Sequence, residues 1–148
     1  MVMGKNFMHN NKGLFWLLAA TLFVAACGSP SSQVVGRWQL SEYCYGTDCI
    51  SVEDFGHTQV LELVDTPTDI NSESCPQATL RRGVLFQEPT EKDILWTLNA
   101  NSDSLYLFDA DGTTLDIMYV TELEHDTLIL SSMLYNILIR QRYERINP

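Results

Sequence analysis

The chain has 148 residues, 45% of them hydrophobic, with 9 basic and 19 acidic side chains for a net charge of −10. That length suits one domain behind a leader, and so acidic a surface excludes nucleic acid, whose phosphates need clustered Lys and Arg. No phosphate loop, nucleophile elbow, zinc spacing or marked carboxylate pair occurs, so the sequence reads as non-enzymatic, with no cofactor and no metal.

The first element is a leader over residues 1–26. It opens with Lys5 and Lys12 and no acid, then runs uncharged through "LFWLLAATLFVAA" (14–26). Such a run makes only about 20 Å of helix, too short for a stable bilayer span, and a basic start with small residues at the exit marks a secretory signal. The exit "VAAC" (24–27) resembles the lipobox of bacterial lipoproteins. That resemblance implies cleavage before Cys27 and a diacylglyceryl thioether on its sulfur. Two or three acyl chains bind a membrane stably where one does not. Gly28 and Ser29 follow with no Asp directly after the cysteine. By analogy with such lipoproteins, this points to the outer membrane of the bacterial envelope, with the protein facing the periplasm or the cell surface. Residues 27–33 then form a lipidated tether, "CGSPSSQ", of flexible composition. Loss of the leader leaves 7 basic against 19 acidic side chains, a net of −12. The acyl anchor, not charge, must hold the chain at the membrane.

The domain 34–148 carries strand signals nearly throughout, at 34–43, 57–64, 78–87, 93–100, 104–109, 114–123, 127–132 and 136–146. "NSD" (101–103), "DADG" (109–112) and "EHD" (124–126) separate the later runs as turns, and gaps this short make antiparallel hairpins. The apolar period is two. Ile94, Trp96 and Leu98 share a face, as do Leu115, Ile117, Tyr119 and Leu123, and again Ile137, Ile139 and Tyr143. The predicted fold is all-β, an eight-stranded antiparallel up-and-down barrel, which removes the strand edges by closing on itself. "DADGTT" (109–114) lacks the spacing and final Glu of a calcium loop, and His57 and His125 stand apart; both read as turn or solvated features.

"VVGRWQL" (34–40) places Gly36-x-Trp38 at the start of the first strand, and Trp96, Leu98, Leu105, Ile117, Val120, Leu123, Asp126, Leu128 and Leu130 continue a pattern. With the strand count, this resembles bacterial lipoproteins with lipocalin-like domains. The resemblance implies that Trp38 plugs the closed end of the barrel, that Gly36 permits a close approach there, and that Arg140 or Arg142 on the last strand packs across the indole. Under that topology Cys44 and Cys49 flank the loop after the first strand at the open end, which predicts a Cys44–Cys49 disulfide, with Cys75 free or otherwise partnered. The resemblance also implies a barrel interior lined by Leu61, Leu63, Leu85, Trp96, Leu98, Ile117, Tyr119 and Tyr143, holding a small hydrophobic or amphipathic ligand. The alternative is a filled barrel in a protein-interaction lipoprotein, an envelope assembly accessory or periplasmic inhibitor. It is motivated by apolar residues on both faces, such as Tyr106 and Phe108 opposite Leu105 and Leu107.

Overall fold

A computed structural model describes residues 32–147. The leader, Cys27 and most of the tether lie outside the described residues. The elements in chain order are β1 (Gly36–Tyr45), β2 (Asp48–Ser51), α1 (Val52–Phe55), β3 (Gln59–Pro67), β4 (Arg81–Gln87), β5 (Thr90–Leu98), β6 (Ser104–Asp109), β7 (Thr114–Leu123), β8 (Thr127–Leu134) and β9 (Ile137–Arg145). Each strand pairs antiparallel with its neighbour from β3 to β9, and β1 pairs with both β3 and β9. The wall is therefore a closed, eight-stranded, up-and-down antiparallel β-barrel of β1 and β3–β9. The eight expected strands are all present.

The ninth strand, β2, is an addition. It folds back on the upper half of β1 through a two-residue turn in which Gly46 has φ +64°, and every one of its residues is exposed. Its residues have no alternating apolar face, which is why periodicity gave no sign of it. One turn of helix, α1, follows and sets Val52 against the barrel core.

The inward side chains come from alternate positions. Trp38, Leu40, Leu61, Leu63, Ile94, Trp96, Leu98, Leu105, Leu107, Met118, Leu128, Leu130 and Tyr143 form one buried cluster. Gly83 on β4 faces this cluster, where a Cβ would stand 2.7 Å from Glu62 O and about as close as packing allows to Ile94 and Trp96 (3.2 and 3.3 Å). The missing side chain makes room for the Trp96 indole. That indole's N–H donates to Arg82 O at 2.9 Å.

A second, smaller core lies outside the wall. Residues 68–80 cross the outer face of β5 and β6, and Cys75, Ala78 and Leu80 pack on Leu95 and Phe108, with Tyr106 at the margin. Thr68 N–H donates to Leu80 O at 2.8 Å, and the Ser74 and Thr114 hydroxyls meet at 2.7 Å. The expected strand over 78–87 thus begins only at Arg81, because Ala78 and Leu80 are taken by this covering segment. The apolar outer face at Tyr106 and Phe108 is covered by the chain itself.

Candidate functional site

Three regions hold the residues that the sequence singled out: the closed end, the interior with its mouth, and the outer face of β7–β9.

At the closed end Trp38 is fully buried and donates its indole N–H to Val34 O at 2.9 Å. The arginine across it is Arg145, whose guanidinium carbon lies 4.1 Å from the ring centroid. Neither Arg140 nor Arg142 takes this place. Parity explains the correction: Tyr143 and Ile139 point inward on β9, so Arg145 shares their face, while Arg140 and Arg142 point outward. Counting by two from Tyr143 would have found it. Arg145 also donates to His125 O (2.6 Å), Val35 O (2.9 Å) and Gln33 O (2.7 Å). Gly36 is needed because a Cβ there would collide with Arg145 Nη1. The close approach that it permits is by a guanidinium.

Of the expected lining residues, Leu61, Leu63, Trp96, Leu98 and Tyr143 are at most 1% exposed, and Leu85 packs beside them. They point inward as expected and belong, with Leu85 at the margin, to the one buried apolar cluster inside the barrel. Ile117 and Tyr119 are corrections: they point outward and are 44% and 57% exposed. Met118 sits opposite the buried Leu105, and the register shifts between Val120 and Glu122, so the inward set on β7 is Met118, Val120 and Leu123. Both faces of this strand are apolar, and a bulge adds one residue to the count. Simple alternation from Leu123 therefore selects the wrong face.

At the mouth a pocket of about 270 Å3 is lined by Leu40, Tyr43, Val52, His57, Gln59 and Gln87. Gln59 of this lining starts a hydrogen-bonded chain: its Nε2 donates to the Tyr143 hydroxyl at 2.7 Å, which donates to Gln141 Oε1 at 2.6 Å. Burial pushes the Tyr143 phenol well above its usual pKa, against the bond from Gln59, and the Asp116 carboxylate adds to the rise. His57, solvated in the sequence reading, is exposed at this rim. The carboxylates of "DADG" serve their own turn. Asp109 Oδ1 accepts from Ala110 N–H, and Asp111 Oδ1 accepts from Thr113 N–H, which lowers the Asp111 pKa.

Beside the mouth, Cys44 on β1 and Cys49 on β2 are direct cross-strand partners and form the expected disulfide, with Cα atoms 4.0 Å apart. Cys75 is buried in the outer core, and none of the described cysteines carries a free thiol. Glu42, Cys44 and Cys49 bring donor atoms within 4.8 Å. With both sulfurs joined, however, they offer a metal no thiolate.

The outer face of β7–β9 carries Leu115, Ile117, Tyr119, Met133 and Leu138, each 42–59% exposed. Met133 lies opposite Leu138, while Tyr119, Ser131 and Arg140 form the neighbouring row. Among the described residues no helix is long and apolar enough to cross a membrane. No family model matches the chain, nor does any curated protein or solved structure.

Proposed function

We propose that the protein is a non-catalytic lipoprotein of the bacterial envelope, anchored by acyl chains on Cys27, whose lipocalin-like barrel is a solid scaffold for binding another envelope protein. The observation that supports this reading is the pairing of a buried apolar cluster inside the barrel with an exposed apolar face on β7–β9. Contiguous exposed apolar side chains on a soluble fold mark interaction surfaces. Arg140 and Arg142, two of only 7 basic residues left after the leader, flank this face on β9. They suit a partner with an apolar centre and an acidic rim.

The 270 Å3 mouth pocket favours a second reading, a small amphipathic ligand held at the rim. Its volume lies just under the range of about 300–1,000 Å3 typical of small-molecule sites.

Native mass spectrometry of the acylated protein, extracted from its envelope with a photoreactive phenylalanine at position 133, separates the two. The expected result is a lipidated Cys27, no retained small molecule, and a protein adduct that Arg140→Glu abolishes. A stoichiometric small molecule displaced by Tyr43→Trp would replace the scaffold reading with rim binding. The anchor competes directly with a bond at Cys75, which carries no free thiol and, with Cys44 and Cys49 paired to each other, has Cys27 as the one cysteine of the four left to it. Cys27 joined to Cys75 instead of to lipid would overturn the anchor, since one sulfur cannot hold both bonds.

A further inference from the structure

The hairpin of β1 and β2 places a disulfide at the surface with an uneven environment around its two sulfurs. Cys44 is 1% exposed and Cys49 is open to solvent. Arg140 Nη2 stands 3.4 Å from Cys44 Sγ and 3.8 Å from Cys49 Sγ, so one guanidinium hydrogen-bonds to the nearer sulfur and borders the other. Glu42 Oε1 is 3.5 Å from Cys44 Sγ. A disulfide sulfur carries no proton, so this is a contact between two electron-rich atoms and not a hydrogen bond. Arg140 Nη2 lies 3.8 Å from that same carboxylate, and Arg142 sits opposite Glu42 in the strand register. One guanidinium and one carboxylate therefore border the Cys44 sulfur, with the guanidinium alone reaching both sulfurs.

The disulfide is not what closes this hairpin. It spans five positions of sequence, and closing so small a loop removes less chain entropy than closing a long one. The turn at Gly46 and four paired positions already close this hairpin.

We propose that Cys44–Cys49 is a thiol–disulfide exchange site, attacked at Cys49 and released at Cys44. A thiolate from a dithiol attacks Cys49 Sγ. A new S–S bond forms there as the old one breaks, and its electron pair passes to Cys44 Sγ, which leaves as a thiolate beside Arg140. The second thiol of the dithiol then displaces Cys49. The protein gains two electrons and two protons, and the dithiol becomes a disulfide. Solvent access selects the sulfur that is attacked, and a positive neighbour speeds departure by lowering the leaving thiol's pKa. The apolar row of Met133 and Leu138 ends next to this site, because Leu138 precedes Arg140 by two positions on the same face of β9. A dithiol carried by a protein would thus meet an apolar footing beside the sulfurs.

The test is reduction of the full chain by dithiothreitol, quenched with an alkylating reagent and resolved by peptide mass spectrometry. The mixed disulfide is expected on Cys49. Arg140→Gln should slow exchange by about three- to tenfold and Arg140→Lys should restore most of the rate, while Glu42→Gln should raise it. These side chains are exposed or half-buried, so the variants fold. Attack at Cys44, or rates that ignore Arg140 and Glu42, would overturn the proposal. Both results are independent of whether β7–β9 binds a partner.

Discussion

The two ends of the barrel are built on opposite plans. At the closed end, the indole of Trp38, the guanidinium of Arg145 and a bare Gly36 interlock, with each donor aimed at a backbone carbonyl. At the mouth, β1 keeps its pairing with β9 but exchanges β3 for β2 on its other edge, a single turn of helix follows, and Gln59, Gln87 and His57 face a half-open pocket. Burial without slack concentrates stability at one end, since interiors packed like organic crystals register every lost methylene. The other end holds the exchangeable bond and the exposed polar groups. Function on a rigid scaffold is expected where constraint is lowest.

Truncation gives the widest separation between the ends. Trp38→Ala empties the closed end and should cost about 3–5 kcal/mol. Tyr43→Ala at the half-buried rim should cost about 1 kcal/mol. Urea unfolding of the two variants checks this, and equal midpoints would erase the distinction between plug and mouth. A smaller effect sharpens it. Arg145→Gln removes the cation–π contact and charge-assisted bonds to three carbonyls, and should cost about 2 kcal/mol. Arg142→Gln, on the outer face of the same strand, should stay within about 0.5 kcal/mol. If Arg142 mattered as much as Arg145, the inward parity of β9 would be wrong.

The strand set was legible because alternation and short turns are local signals, and the disulfide followed from the lipocalin-like resemblance, which places Cys44 and Cys49 on either side of one loop. What failed was also local. On β7, Met118 and Val120 compete with Ile117 and Tyr119 as two equally apolar faces, and a bulge moves the count by one. A pattern of two cannot choose between them. The helix turn and β2 lack a buried stripe, so no period marks them. Whether the barrel is hollow was not legible at all. Alternation gives the direction of a side chain, whereas filling depends on how Trp38, Trp96 and Tyr143 meet across the interior.

Tyr143 stands at the border between the two ends, opposite Leu40 on one side and Leu128 on the other, and it yields the smallest test. Burial raises its pKa in the folded chain, while an unfolded tyrosine ionises near pH 10. The native state therefore holds this proton more tightly. Stability from this group is complete below about pH 10 and declines above it, by about 1.4 kcal/mol per pH unit while only the unfolded phenol ionises. Tyr143→Phe should flatten that alkaline decline. At neutral pH it should cost no more than about 1 kcal/mol, since Gln59 and Gln141 at the rim can turn to water. Denaturant titrations at pH 8 and pH 11 measure both quantities. A wild-type chain losing no more between them than the phenylalanine variant would mean that water reaches this hydroxyl, and that the solid interior ends below Tyr143.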